Sequence, residues 1–409
     1  VTGSRVPTEV PAPTVEGRRR ALAALCVTQI TSWGVLYYAF PVLLTEISTA
    51  TGWSLPWLTA ALTASQLVSA LVGIPVGRWL DRYGPRVVMT TGSVLAVGSL
   101  IAVALAPSLA WFVTAWAVAG IAMGAVLYPP AFAALTRWYG PDRVRALTMV
   151  TLAGGLASTV FAPLTAVLSA HLDWRGTYLA LAAILGVLTV PAHWFGLRLP
   201  WPPAPRPGAR HHSADPARVA RSRPFLALVV SLSVAAFATF AVVIHLVPLL
   251  AERGIGTATA AVALGLGGAG QVAGRLGYAA LTRRTTVRAR TAGILLAMAV
   301  TTALLGVFTT VAALVVAAVV AGMARGMFTL VQATAVTERW GSTHYGRLTG
   351  LLSAPLTVTM ALAPLAGAAL AELLGGYAVT FVLLGALTVA ASVLSLASVP
   401  TTSATAATR

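Results

Sequence analysis

Apolar runs of about 20 residues, parted by short polar gaps, recur from one end of the chain to the other. A helix of that length crosses a hydrocarbon layer of about 30 Å. Twelve such runs are legible, at residues 21–46, 55–77, 87–107, 110–136, 145–170, 176–197, 225–250, 258–281, 290–310, 312–337, 348–372 and 376–398. No water reaches a backbone inside a bilayer, so each run is expected to be an α-helix that satisfies its own hydrogen bonds. The expected fold class is therefore an all-α membrane protein with twelve transmembrane helices. One stretch differs in kind: from Arg198 to Arg223 there are five prolines before Ala209 and no apolar periodicity, which predicts a linker.

Charge adds a topology. The chain has 27 arginines and no lysine, and the arginines collect in every second gap. These gaps hold Arg18, Arg19 and Arg20, then Arg78, Arg82 and Arg86, and onwards to Arg339 and Arg347. Cytoplasmic loops gather basic residues, so these gaps are expected on the cytoplasmic side, with both chain ends there. The alternate gaps carry only Arg175 and Arg253. A net charge of +17 on a soluble protein would suggest nucleic acid, but here the charge flanks spans instead of forming one basic face. With 58% hydrophobic and 9% charged residues, the bilayer is the solvent and membrane lipid the expected surrounding partner, anionic lipid at the inner leaflet adding to the topology signal. The first apolar run is too long for the core of a cleavable leader and reads as a retained helix. Cys26 is the sole cysteine, so no intrachain disulfide is expected. Absence of lysine and asparagine suggests GC-rich coding, and a bacterial cytoplasmic membrane is the expected location.

The two sides of the linker resemble each other at a fixed offset. Thr136 matches Thr337, Gly140 matches Gly341, Leu147-Thr148 matches Leu348-Thr349, and Ala162-Pro163-Leu164 matches Ala363-Pro364-Leu365. Agreement at Pro, Gly and Thr in one frame points to duplication. The expected domains are a tail at 1–20, a six-helix bundle at 21–197, a linker at 198–224, a second bundle at 225–398 and a tail at 399–409. Two such halves make a pseudo-two-fold bundle with a site between them near the midplane.

After the second run the chain reads Gly77-Arg-Trp-Leu-Asp81-Arg82-Tyr83-Gly84-Pro-Arg86. This resembles the signature loop of the major facilitator superfamily, whose members are secondary transporters working by alternating access. Gly77 and Gly84 permit close approach and a tight turn. Asp81 is suited to pair with a basic residue or a helix N-terminus. Together with Arg82 and Arg86 these residues are the candidate cytoplasmic gate.

Within that superfamily the chain looks most like the monocarboxylate and oxalate porters. Trp33-Gly34-Val-Leu-Tyr37-Tyr38 stands in the first run, and Trp138-Tyr139-Gly140 with Arg143 and Arg145 precedes the fifth. Gln271-Val-Ala-Gly274-Arg275 stands in the eighth run. The resemblance implies that Arg275 receives a substrate carboxylate. It departs at Gln271, where an aspartate is common, and no basic residue occupies 348–372; oxalate itself is poorly supported. Against the drug–proton antiporters, the Ala162-Pro163 step lacks the surrounding glycines and the spans lack a central acid.

Two arginines fall in no gap. A cation at mid-bilayer costs roughly 2.5–3.5 kcal/mol on insertion scales and normally faces a cavity or a partner. Arg325 lies about 20 Å from either end of its run, beyond easy snorkelling. No acid lies in the central parts of the runs, so an anionic ligand is the candidate partner, with bonding to helix carbonyls as the alternative. Arg275 is nearer an end and could instead reach the interface. Gln271 is one turn from Arg275 on the same face. His245 is a candidate proton carrier or a plain packed histidine. Trp33, Tyr37, Tyr38 and Tyr128 are candidate cavity walls or interface anchors. Gln29, Gln66 and Gln332 read as helix–helix bonds before ligand contacts.

Other signals carry no chemistry. Gly265-Leu-Gly267-Gly268-Ala-Gly270 mimics a dinucleotide fingerprint but has no strand before it. His211-His212 lacks the spacing of a metal site. No nucleophile–base pair or phosphate loop is present, so no enzyme and no cofactor are expected. The function expected is secondary transport of a small organic anion, a monocarboxylate first, coupled to protons or by exchange, by a monomer. The alternatives are a drug or natural-product exporter and a receptor that keeps the fold without flux.

Overall fold

The computed structural model describes residues 14–201, 216–255, 257–342 and 344–400. The extreme tails, most of the expected linker and, with it, His211 and His212 lie outside the described residues. Among those described, all regular structure is helical.

The helices group into twelve rods, called spans here. Span 1 runs from Val15–Trp33 through a π-helical turn, Gly34–Tyr38, into Ala39–Thr51. Spans 2 and 3 are Leu55–Tyr83 and Pro85–Ala104. Span 4 joins Leu109–Val126 to Tyr128–Tyr139, and span 5 joins Arg143–Gly155 to Ala157–Ser169. Span 6 is Trp174–Gly196, span 7 Arg223–Glu252, span 8 Thr257–Arg284 and span 9 Val287–Val307. Spans 10, 11 and 12 are Val311–Trp340, Tyr345–Leu374 and Tyr377–Ser395. By length and composition, ten stretches among the described residues suffice to cross a membrane. One of them, Leu109–Ser169, has 61 residues; as a single helix it would be about 90 Å long, so it makes two crossings. Span 8, rich in glycine, falls outside the ten. Those two adjustments reconcile ten with twelve.

The repeat is visible in the helix starts. Leu55, Pro85, Leu109, Arg143 and Trp174 recur as Thr257, Val287, Val311, Tyr345 and Tyr377, each 202 or 203 residues later. It is visible again in the packing. Spans 2 and 4, 3 and 6, and 1 and 6 pack together, as do spans 8 and 10, 9 and 12, and 7 and 12. The halves meet where span 2 packs on span 11 and span 5 on span 8. This is a pair of six-helix bundles related by a pseudo-two-fold axis.

Small residues set the closest approaches. A Cβ on Gly322 would lie 1.9 Å from the Gly267 carbonyl oxygen, and one on Gly274 2.0 Å from that of Met323. Spans 8 and 10 therefore touch backbone to backbone, which gives Gly267, Gly270 and Gly274 a packing role inside one continuous helix, while Gly265 and Gly268 face open space.

Span 4 breaks at Leu127 (φ −77°, ψ −163°), just before Tyr128-Pro129-Pro130. Pro130 has no N–H for the Val126 carbonyl. Gln29 Nε2 donates to that carbonyl instead, at 2.7 Å, so this glutamine is a helix–helix bond.

The two arginines at the arginine-poor end have a different explanation from their fellows. Arg175 donates to the Ala104 and Ala106 carbonyls at the end of span 3, at 2.6 and 2.8 Å. Arg253 donates to the carbonyls of Leu305, Gly306 and Phe308 at the end of span 9. Both occupy orphan helix C-termini, where cations are favoured.

Candidate functional site

Span 1 loosens where its aromatics stand. A Cβ on Gly34 would lie 2.2 Å from the Phe161 ring of span 5, so the first rod follows a π turn over Gly34–Tyr38 around that side chain. Such turns re-aim the residues they carry. Tyr37 and Tyr38 stand edge-on at 5.2 Å between ring centroids, Tyr37 and Trp33 at 5.7 Å, and Trp33 meets Tyr128 at 5.1 Å. Tyr128 in turn stacks on Phe132 at 5.0 Å. The four aromatics singled out in the sequence thus form one continuous train.

The two stranded arginines lie beside it. Arg275 is 4% exposed, and its Nη1 donates to the Thr151 carbonyl of span 5 at 2.6 Å. The Tyr128 hydroxyl donates to the same carbonyl at 3.5 Å. Gly155 makes room: a Cβ there would lie 2.6 Å from Arg275 Nη1. Arg275 therefore does not snorkel toward the end of span 8 but crosses between the halves, leaving its buried Nε without a partner.

Arg325, half-buried on span 10, also has a buried Nε without a partner. The two guanidiniums are within electrostatic reach of each other and of Tyr38. Neither meets a carboxylate: among the described residues the ion pair present is Arg290–Glu338, at 2.7 Å. Gln271 sits one turn before Arg275, half-buried, its carbonyl against Gly326 of span 10.

His245 is not in this group. Its Nε2 lies 3.0 Å from the Pro364 carbonyl oxygen, its ring stacks on Tyr377 at 4.9 Å, and Gly367 abuts it.

Next to the aromatic train is a cavity of about 150 Å³ between spans 2, 4, 10 and 11. Trp33 and Tyr128 face it, and so do Gln66 and Gln332. The two glutamines, expected in helix packing, instead line the cavity; nothing in the sequence sets them apart from Gln29, which does bond to a neighbouring helix. Gly124, also lining the cavity, packs against Ser69.

Below the cavity the arginine-rich end is shut. A Cβ on Gly77 would lie 2.2 Å from the Gly346 carbonyl oxygen, and one on Gly350 2.6 Å from that of Gly73. Asp81 Oδ1 and Oδ2 accept from the Gly346 and Arg347 N–H groups, at 3.1 and 2.9 Å. Asp81 thus takes the helix N-terminus of span 11, the second of its two expected partners. Gly84, at φ +78°, starts span 3 with no space for a Cβ against Trp201. Arg82 lies over the Tyr83 ring, and Arg86 over Trp194 at 3.9 Å while donating to its carbonyl. Both arginines are occupied away from span 11.

A family model described as the Major Facilitator Superfamily matches residues 25–309. The chain belongs to the major facilitator superfamily. Monocarboxylate transporter 13 of Bos taurus is 27% identical over 257 residues, 62% of this chain and 57% of that protein. Monocarboxylate transporter 11 of Homo sapiens is 28% identical over 54% of this chain and 46% of its own. The chain thus spans about half the length of the curated relatives it matches. They support the resemblance to the monocarboxylate-porter branch. Among solved structures, the human organic anion transporter MFSD10 (TETRAN) has a TM-score of 0.72 at 19% identity, covering 92% of this chain and 99% of that one. The E. coli fucose:proton symporter FucP also reaches 0.72, at 12% identity, covering 94% and 100%. At such identities the likeness is one of fold.

Proposed function

We propose that this superfamily member is a secondary transporter of a small organic anion, a monocarboxylate first, working by alternating access in a bacterial cytoplasmic membrane with its arginine-rich end inside. The observation that carries the reading is the pair Arg275, buried against span 5, and Arg325, half-buried on span 10, with no carboxylate in contact with either. A buried cation without a counter-ion is costly, and a guanidinium fork matches a carboxylate. Tyr38 and Gln271 supply further donors, and Trp33, Tyr37 and Tyr128 the wall. The curated relatives named as monocarboxylate transporters support the same class. Asp81 with Gly77 and Gly84 acts as the inner latch, Arg82 and Arg86 holding the loop from its flank. His245 serves as proton carrier if transport is proton-coupled; exchange of anions is the other mode.

The test is uptake of labelled lactate and pyruvate into proteoliposomes, with Arg275→Gln and Arg325→Gln proteins alongside. Charge-assisted bonds are worth about 1.5–3 kcal/mol, so each substitution is expected to weaken anion binding about tenfold or more. Wild-type affinity in both refutes the site. Competition by hydrophobic cations and not by carboxylates would turn the reading to an exporter, and binding without flux to a receptor.

A further inference from the structure

The cavity beside the arginines is uncharged, and its mainly apolar wall carries several polar side chains. Gln66 and Ser69 reach it from span 2, Gln332 from span 10, and Ser353 and Thr357 from span 11. Among the described residues these five side chains have no hydrogen-bond partner. All five are half-buried and open to the cavity, so a ligand that displaces water from it must replace the water's hydrogen bonds to these amides and hydroxyls from both halves. The volume of about 150 Å³ far exceeds the roughly 10–15 Å³ that a single water needs.

The charged and neutral groups are joined but apart. Thr329 lines the cavity one turn after Arg325, and Tyr128 lines it while sharing the Thr151 carbonyl with Arg275. From Arg325 to Gln332 span 10 rises about 10 Å. A three-carbon acid, with bonds of about 1.5 Å, covers only about 4 Å. It would satisfy one guanidinium and leave the cavity unbonded.

We infer that the cargo is an extended monocarboxylate whose far end carries hydroxyl or amide groups, its carboxylate at Arg275 and Arg325 and its polar body among Gln66, Gln332 and the hydroxyls. The inference rests on the anion reading above. Amides both donate and accept, so the pocket suits groups that do the same. The Trp33 and Tyr128 rings give the body a flat apolar wall.

The test is a binding series with purified protein, read by calorimetry and thermal shift. The probes are lactate (short), octanoate (long and apolar), gluconate and pantothenate (long with hydroxyls or an amide) and panthenol (pantothenate without its carboxylate). At least one of gluconate and pantothenate is expected to bind about tenfold tighter than lactate and octanoate, as a few added hydrogen bonds allow. Gln66→Leu with Gln332→Leu, or Thr357→Val as a milder change, should remove most of that preference in protein that still elutes as a folded species. The inference is overturned if lactate or octanoate matches the polar acids, if neither polar acid binds, or if the variants keep the preference. Panthenol binding as well as pantothenate would instead defeat the anion reading and leave the polar body standing.

Discussion

Replacing Asp81 by asparagine probes the closure of the arginine-rich end. The carboxylate accepts two N–H groups at the start of span 11, from Gly346 and Arg347. Asparagine keeps one acceptor oxygen and turns an NH2 toward the other N–H. One charge-assisted bond is lost, worth about 1.5–3 kcal/mol. The helix-terminus attraction for a negative charge adds about 0.3–1 kcal/mol. The sum, about 2–4 kcal/mol, corresponds to roughly 30- to 700-fold in the ratio of closed to open forms. Ser353 lines the cavity behind this contact, so a Ser353→Cys probe in a Cys26→Ser background reports opening. In vesicles that present the arginine-rich face, an impermeant maleimide is expected to label the probe much faster with Asp81→Asn than without. Arg284→Gln serves as the control, because Arg284 is exposed at the end of span 8 and takes no part in the contact with span 11. Equal labelling of the Asp81→Asn and parent proteins would refute the latch.

Gly322→Ala should lower stability by about 1–3 kcal/mol through overpacking, since the new methyl would lie 1.9 Å from the Gly267 carbonyl; an unchanged melting temperature would contradict the backbone contact of spans 8 and 10. Gln29→Leu removes the donor to the Val126 carbonyl, and melting should show a cost of about 1–3 kcal/mol for the stranded acceptor. Glu338→Gln leaves Arg290 buried and uncompensated, at a cost of about 3–5 kcal/mol, whereas Arg290→Met with Glu338→Leu should be close to neutral. A double variant as unstable as the single one would show that the pair itself is needed.

Much of the candidate site was legible residue by residue. Arg275 and Arg325 announced themselves as cations where hydropathy forbids them, and the double proline before Ala131 announced the break in span 4. Partners were not legible. That Arg275 meets the Thr151 carbonyl depends on Gly155 lying opposite, 120 residues away in the chain. The role of the glutamines was equally hidden: Gln29 bonds to a carbonyl freed by Pro130, while Gln66 and Gln332 open into a cavity. All three look alike as isolated polar residues in apolar runs.

The apolar runs and the arginine-rich side can be read along the chain, because each follows from transfer of one local segment between water and hydrocarbon, and the repeat can be read from matched residues on the two sides of the linker. Which polar groups are spent and which are free is settled by packing. A hydrogen bond across the halves depends on helix rotation and on approach distances set by glycines such as Gly77, Gly274 and Gly322. Those distances belong to pairs of helices far apart in the chain, and no run of residues contains them.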